Sequence, residues 1–450
     1  MLEPEGDNNN KFYWGAATAA YQIEGSPLAD GGGSCVWHEF SHTPGTIYQG
    51  QTGDIAADHY HRWPEDVALM KNLGLNSYRF SVRWPRVLPE GTGAVNPSGV
   101  AFYDRLVDSL LEAGIEPFVT LFHWDLPAAL FRRGGWSNPD IASWFGEYAS
   151  VVGNALSDRV KFWMTLNEPF VVANEGHLVG NHAPGMRNIF QACHCVHHQI
   201  RAHVAGYHAL KAIDANLSVG LAVHDVGVWP ASDSEEDVAA AERAEAWHNF
   251  PMFVDPLVYG RYPAALESRM REYLPRGYED DMEALRVPPD FLGVNYYFTN
   301  YVRNSTENWL GYSVVDEPDM PQTSIEGWTI RPEGLHRVIT QAHLRYKLPA
   351  IYVTENGASY DDTPEGKTVH DEDRTSYLKS HVAAALQAKD EGVPVQGYFV
   401  WSFLDNFEWA LGYSKRFGIV YVDYETQERI VKDSGYWYSE VARTGSIPAS

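Results

Sequence analysis

Eight short runs of β-branched and aromatic residues recur along this chain, and the apolar spacing changes to that of a helix between them. The runs fall at 12–17, 77–82, 117–122, 161–166, 218–224, 291–297, 350–354 and 396–402. The helical stretches fall at 63–72, 100–113, 141–156, 192–213, 238–247, 333–344, 375–388 and 433–441. Gly74, Gly114 and Gly392 stand where three of these helices should stop. Alternation of this kind predicts parallel strands joined by right-handed crossovers. Eight such units predict a single (β/α)8 TIM barrel over residues 1–450. The alternative is a doubly wound open sheet with a second domain, but no Gly-x-Gly-x-x-Gly opens a helix after a strand. Connections after the first, sixth and eighth strands are long, and long βα loops on a barrel build a deep pocket.

Charge narrows the partners. The chain carries 34 basic and 59 acidic residues, a formal net charge of −25. Such a surface repels phosphate backbones and anionic lipid, so neither nucleic acid nor membrane is an expected partner. Three cysteines (Cys35, Cys193 and Cys195) do not make a disulfide framework. The first residues, Met1 to Asp7, lack the basic and apolar regions of a signal peptide, and no apolar run reaches membrane-spanning length. A cytoplasmic protein is expected.

Two strands end in the same way. In Val353-Thr354-Glu355-Asn356-Gly357, a turn follows a single carboxylate. In Thr165-Leu166-Asn167-Glu168-Pro169, Pro169 stops the strand and is expected to hold Glu168 extended. In one barrel both glutamates open into one pocket; taken alone, each reads equally as a solvated loop carboxylate. Other strand ends add Gln22, Arg79, His123-Trp124-Asp125, Asn295-Tyr296-Tyr297, Trp401 and Glu408-Trp409. Amides and carboxylates suit hydroxyl groups, and indole faces suit the C–H face of a sugar ring. No metal-ligand spacing such as His-Glu-x-x-His is read in the sequence, so neither metal nor cofactor is expected. Cys193, His194, Cys195, His197 and His198 crowd one helix, which cannot by itself supply four converging zinc ligands, so packing is the expected role.

The two glutamate motifs resemble the signatures of the family 1 glycoside hydrolases, the β-glucosidase family. Phe12-Tyr13-Trp14-Gly15-Ala16-Ala17-Thr18-Ala19-Ala20-Tyr21-Gln22-Ile23-Glu24-Gly25 and Tyr78-Arg79-Phe80-Ser81-Val82-Arg83-Trp84-Pro85-Arg86 resemble the same family. The resemblance implies an exo-acting enzyme that hydrolyses β-glycosides, releases glucose and retains anomeric configuration. It implies Glu355 as nucleophile and Glu168 as acid/base. Retaining cleavage needs two carboxyl groups about 5–5.5 Å apart, one ionised and one protonated. Arg79 and Tyr297 are expected to favour the charged form of Glu355, whose charge would keep the proton on Glu168. By the same resemblance, Gln22, His123, Asn167 and Glu408 bind the terminal sugar, and Trp401 and Trp409 line its subsite. Asn295 lies beside the acid/base, and Trp328 lines the aglycone side. Glu408 beside Gln22 implies sugars without a 6-phosphate, with β-galactosides, β-fucosides and transglycosylation as further expectations. A barrel that binds sugar without cleaving it is the competing reading, and the presence of both glutamates counts against it.

Overall fold

A computed structural model describes residues 11–317 and 319–448. The expectations placed on Met1–Asp7 lie outside the described residues. Among the described residues, eight parallel strands close on themselves. They are β1 (Tyr13–Ala17), β2 (Ser77–Ser81), β3 (Glu116–Phe122), β4 (Phe162–Asn167), β5 (Ser218–Pro230), β6 (Phe291–Asn304), β8 (Ile351–Asn356) and β9 (Val395–Trp401). Their order is β5-β4-β3-β2-β1-β9-β8-β6, with β5 pairing β6 to complete the ring. Helices follow the strands on the outside, including His59–Asn72, Pro97–Glu112, Ile141–Leu156, Ile189–Ile213, Pro332–Tyr346, Glu372–Asp390 and Asp433–Thr444. This is the (β/α)8 barrel that the alternation predicts. Gly74 (φ 72°) and Gly114 (φ 78°) follow two helix ends in the left-handed conformation that glycine adopts without cost.

The barrel is plugged at the N-terminal ends of its strands. Phe118 stacks on Phe162 with ring centroids 4.3 Å apart, and lies 5.1 Å from Tyr13, 5.4 Å from Tyr352 and 4.8 Å from Phe399. Phe291 joins this cluster 5.2 Å from Tyr352. Aromatic rings bury large area and prefer the edge-on contacts seen here. At the opposite end, Gly357 lets β8 turn against β9: a Cβ there would fall 1.7 Å from the Trp401 carbonyl oxygen.

The rim differs from the sequence expectation in two places. β5 and β6 run on past the barrel to Pro230 and Asn304, with a register shift between Asp225 and Gly227. A further strand, β7 (Tyr312–Val315), then returns antiparallel along β6. Secondly, the proline that ends β4 also begins a helix, Pro169–Ala173, because proline suits the first helical turn where no N–H is needed.

Candidate active site

Glu168 and Glu355 stand at the C-terminal ends of β4 and β8, as their motifs predict. Glu168 is not extended, however. Its backbone is left-handed (φ 45°, ψ 59°), a correction to the expected influence of Pro169. The cause is the register shift between Met164 and Asn167 where β4 meets β5, which lets the Glu168 N–H donate to the Ala222 carbonyl at 2.8 Å. Such backbone strain persists only where the surroundings over-determine it. Here it caps the helix Pro169–Ala173 while Glu168 lines the pocket.

Arg79 lies under the pocket with 1% of its side chain exposed. Its Nη1 donates to Glu355 Oε1 at 2.6 Å and to the Thr354 carbonyl at 3.1 Å. Its Nη2 donates to Asn167 Oδ1 at 2.6 Å, and Nε to Thr120 Oγ1 at 3.1 Å. The Tyr297 hydroxyl donates to the other carboxylate oxygen of Glu355 at 2.6 Å. Both oxygens of Glu355 therefore face strong donors. Glu168 is held differently: Asn295 Nδ2 donates to its Oε1 at 2.9 Å, and His224 Nδ1 stands 3.5 Å from the same oxygen. Asn295 is fixed in turn by the Thr354 hydroxyl at 2.6 Å.

Asn167 links this pair to the sugar-binding set. Its oxygen accepts from Arg79 and from Asn295, so its amide nitrogen must donate to His123 Nε2 at 3.0 Å. That places the hydrogen of a neutral His123 on Nδ1, which is buried without a protein partner. Burial, helped by Arg79, pushes His123 well below the usual imidazole range, so the ring is neutral. Gln22 Nε2 donates to Asn406 Oδ1 and the Phe407 carbonyl, both at 3.0 Å, and stands 3.4 Å from Glu408 Oε2. Gln22 Oε1 is left without a partner. Buried polar atoms normally find partners, and a ligand rich in hydroxyl groups supplies them.

These residues surround a cavity of about 610 Å3. His123, Glu168, Tyr297, Trp328, Glu355, Trp401, Glu408 and Trp409 line it, while Gln22 stands behind Glu408, Arg79 and Asn295 brace the two glutamates, and Asn167 holds Arg79. Trp401 lies parallel to His123 at 5.8 Å, and Trp409 packs 4.5 Å from Trp124. Trp328 stands further out, 4.9 Å from Phe298.

Among the lining residues that escaped the sequence reading of the site are Phe170, His224, His248 and Phe298. His224 closes the fifth predicted strand, so the strand-end rule that found the glutamates could have found it too. The Cys/His helix packs as expected: His198 bonds the Trp136 carbonyl, His197 bonds Tyr262 and Asp281, and both cysteines are buried.

Burial pushes the Glu355 carboxyl up to about 7, with Glu168 adding to the rise and Arg79 and the Tyr297 hydroxyl opposing it. Arg79 and Tyr297 act in the expected direction, but burial outweighs them. Glu408 is pushed up to about 8, first by burial and then by the charges of Glu355 and Glu168.

The model for "Glycosyl hydrolase family 1" matches residues 6–446. The chain is 51% identical over 445 residues to "Beta-glucosidase A" of Thermotoga maritima, covering 99% of this chain and 98% of that protein. It is 50% identical to "1,4-beta-D-glucan glucohydrolase" of Thermotoga neapolitana, covering 99% of each. Among solved structures, the family 1 β-glucosidase from Thermotoga maritima superposes with a TM-score of 0.96 at 50% identity, covering 98% of this chain and 99% of that one. The complex of that enzyme with isofagomine lactam superposes with a TM-score of 0.94 at 51% identity, covering 96% and 98%. Barrel, paired glutamates and matches over nearly the full length agree, and the chain belongs to glycosyl hydrolase family 1, an enzyme family that cleaves glycosidic bonds.

Proposed function

We propose that this chain is a retaining, exo-acting β-glucosidase that removes terminal β-D-glucosyl residues from cello-oligosaccharides and from aryl and alkyl β-glucosides. The observation that carries this reading is the unequal treatment of the two carboxyl groups. Glu355 receives Arg79 and the Tyr297 hydroxyl, which favour a negative charge. Glu168 receives only a neutral amide and an imidazole nitrogen, and keeps room for a proton.

In the first step a Glu355 oxygen attacks the anomeric carbon. The glycosidic C–O bond breaks, and the Glu168 proton passes to the leaving oxygen. Glu355 is then an ester and carries no charge, so Glu168 can remain ionised. In the second step Glu168 takes a proton from water as that water attacks the anomeric carbon. The ester bond breaks, glucose leaves and both carboxyls regain their starting states. The dyad's proton belongs to the pair, and Arg79 with Tyr297 decides where the charge rests.

His123 and Gln22 supply unpartnered polar atoms for the sugar hydroxyls, with Trp401 and Trp409 as the apolar wall. Glu408 favours a sugar without a 6-phosphate: it accepts from and donates to hydroxyl groups but brings no positive charge, and the nearby Glu355 and Glu168 disfavour a further anion. The nearby cations do not offset this. Lys415 Nζ donates to the Ser324 carbonyl at 2.6 Å, and Arg416 pairs with Asp405 at 2.6 Å. β-Galactoside and β-fucoside side activity, and transfer of the glycosyl ester to alcohols, belong to the same reading. So does a single catalytic domain over the whole chain. Among the described residues no helix is long and apolar enough to cross a membrane. Three free, buried cysteines favour a cytoplasmic setting.

The test is a panel of nitrophenyl glycosides with the product anomer followed by NMR. β-Glucose appearing first from the β-glucoside supports the reading. α-Glucose appearing first rejects retention, and binding without turnover favours the sugar-binding barrel.

A further inference from the structure

Outside the sugar pocket, three metal-ligating side chains converge on the segment between β1 and β2. His38 lies on the helix Val36–Ser41 and His42 is its C-cap, four residues on, so the two rings share a face with centroids 4.6 Å apart. Asp54 reaches them from the following loop. Its Oδ2 lies 3.0 Å from His42 Nε2, and its Oδ1 lies 3.7 Å from His38 Nε2. One ligand atom from each residue lies within 4.8 Å of the others. Tetrahedral zinc with bonds of about 2.0–2.2 Å needs ligand atoms about 3.3–3.6 Å apart. The two observed separations, each to a different oxygen of Asp54, lie on either side of that range.

The tautomers point the same way. His42 Nδ1 lies 2.7 Å from the His38 carbonyl oxygen, which can only accept, so Nδ1 carries the hydrogen. His38 Nδ1 lies 3.0 Å from Ser34 Oγ, so a hydroxyl fixes its far ring nitrogen. Both Nε2 atoms then turn toward the Asp54 carboxylate, whose Oδ1 is buried without a hydrogen-bond partner. Two imidazole nitrogens and a carboxylate thus converge on one point, as the ligands of a cation do. Fixing the far ring nitrogen by a carbonyl or hydroxyl is what orients metal-bound histidines.

We propose that His38, His42 and Asp54 form a zinc site within one chain, with the fourth position taken by water. Imidazole nitrogen selects zinc over magnesium and calcium, which prefer oxygen. The sequence contradicts the expectation that no such spacing occurs: His38-Glu39-Phe40-Ser41-His42 has the His-Glu-x-x-His spacing. In metalloproteases that glutamate is a general base. Here Glu39 pairs with Arg132 and is not offered as a base. The ion ties the helix bearing Trp37, whose ring packs 4.6 Å from Trp409 in the pocket wall, to the loop of Asp54.

The test is titration of chelator-treated full-length protein with zinc chloride, followed by calorimetry and by the melting temperature. One equivalent is expected to bind and raise the melting temperature, while magnesium does neither. Cobalt is expected to give the intense visible bands of a tetrahedral ion. His38→Ala and Asp54→Asn are each expected to weaken zinc binding about tenfold or more. His42 is exposed, so His42→Ala serves where a buried change disturbs folding, and Glu39→Gln is expected to bind as the parent does. Absence of binding by the parent overturns the proposal. So does undiminished binding by a folded His38→Ala/His42→Ala double variant.

Discussion

Arg79 and Glu355 form a buried ion pair across the barrel, with Nη1 and Oε1 2.6 Å apart and their side chains 1% and 4% exposed. Removing one partner of such a pair strands the other charge in a poorly solvated place. Arg79→Met is therefore expected to raise the carboxyl range of Glu355 further. The acid limb of kcat/KM should move up by about 1–3 pH units, with activity at neutral pH falling accordingly. A pH–rate profile checks this, and an unmoved acid limb in a folded variant rejects the pairing as the source of the charge.

Tyr297→Phe deletes one hydroxyl donor from Glu355 and leaves the ring in place. In the parent, burial holds Glu355 at about 7, so kcat/KM should fall as the pH drops through that value. A hydrogen bond to a charged group contributes about 1.5–3 kcal/mol, so its loss should move the acid limb up by about one to two units. A downward shift would contradict the assignment.

Glu355→Ala is expected to abolish hydrolysis in a protein that still melts cooperatively. Turnover measured alongside a melting curve separates chemistry from folding. Near-parental activity in the folded variant would end the nucleophile assignment.

Glu168→Gln should depend on the leaving group. General acid catalysis contributes about 10²–10⁴ in rate, and an acidic phenol needs little of it. Glycosyl transfer from cellobiose should slow far more than from a dinitrophenyl glucoside. Equal losses on the two substrates would show that Glu168 does not protonate the leaving oxygen.

Glu408 affects stability as well as binding. Its carboxyl is raised to about 8 in the fold, against about 4.3 in an unfolded chain. A raised group stabilises the fold fully below its unfolded value, and that contribution is lost as the pH rises through the folded value. Glu408→Gln should thus gain in melting temperature over the parent between pH 5 and pH 9. A gap that stays constant with pH would show that Glu408 does not titrate in this range.

The barrel and both glutamates were legible because each depends on local signals: the alternation of periods, and a carboxylate before a turn or a proline. Features set by tertiary pairing were not. Nothing local shows that β5 and β6 continue past the rim, since their extensions are specified by each other. No helix is expected from the sequence at Pro251–Tyr259, where Pro256 sits inside the helix. The left-handed backbone of Glu168 follows from the register of β4 on β5, which no run of residues around Pro169 encodes.

The ring cluster around Phe118 has a consequence for traffic. With Tyr13, Phe162, Phe291, Tyr352 and Phe399 it stoppers one end of the barrel, so a chain cannot thread through. Whatever comes in must go out by the same door. On the proposed function, the aglycone, nearer that door, would depart first, while glucose waits behind it at the blind end. Glucose would then be the last to leave and the first to obstruct the next guest, and each visit would shorten a polymer by one unit from its tip.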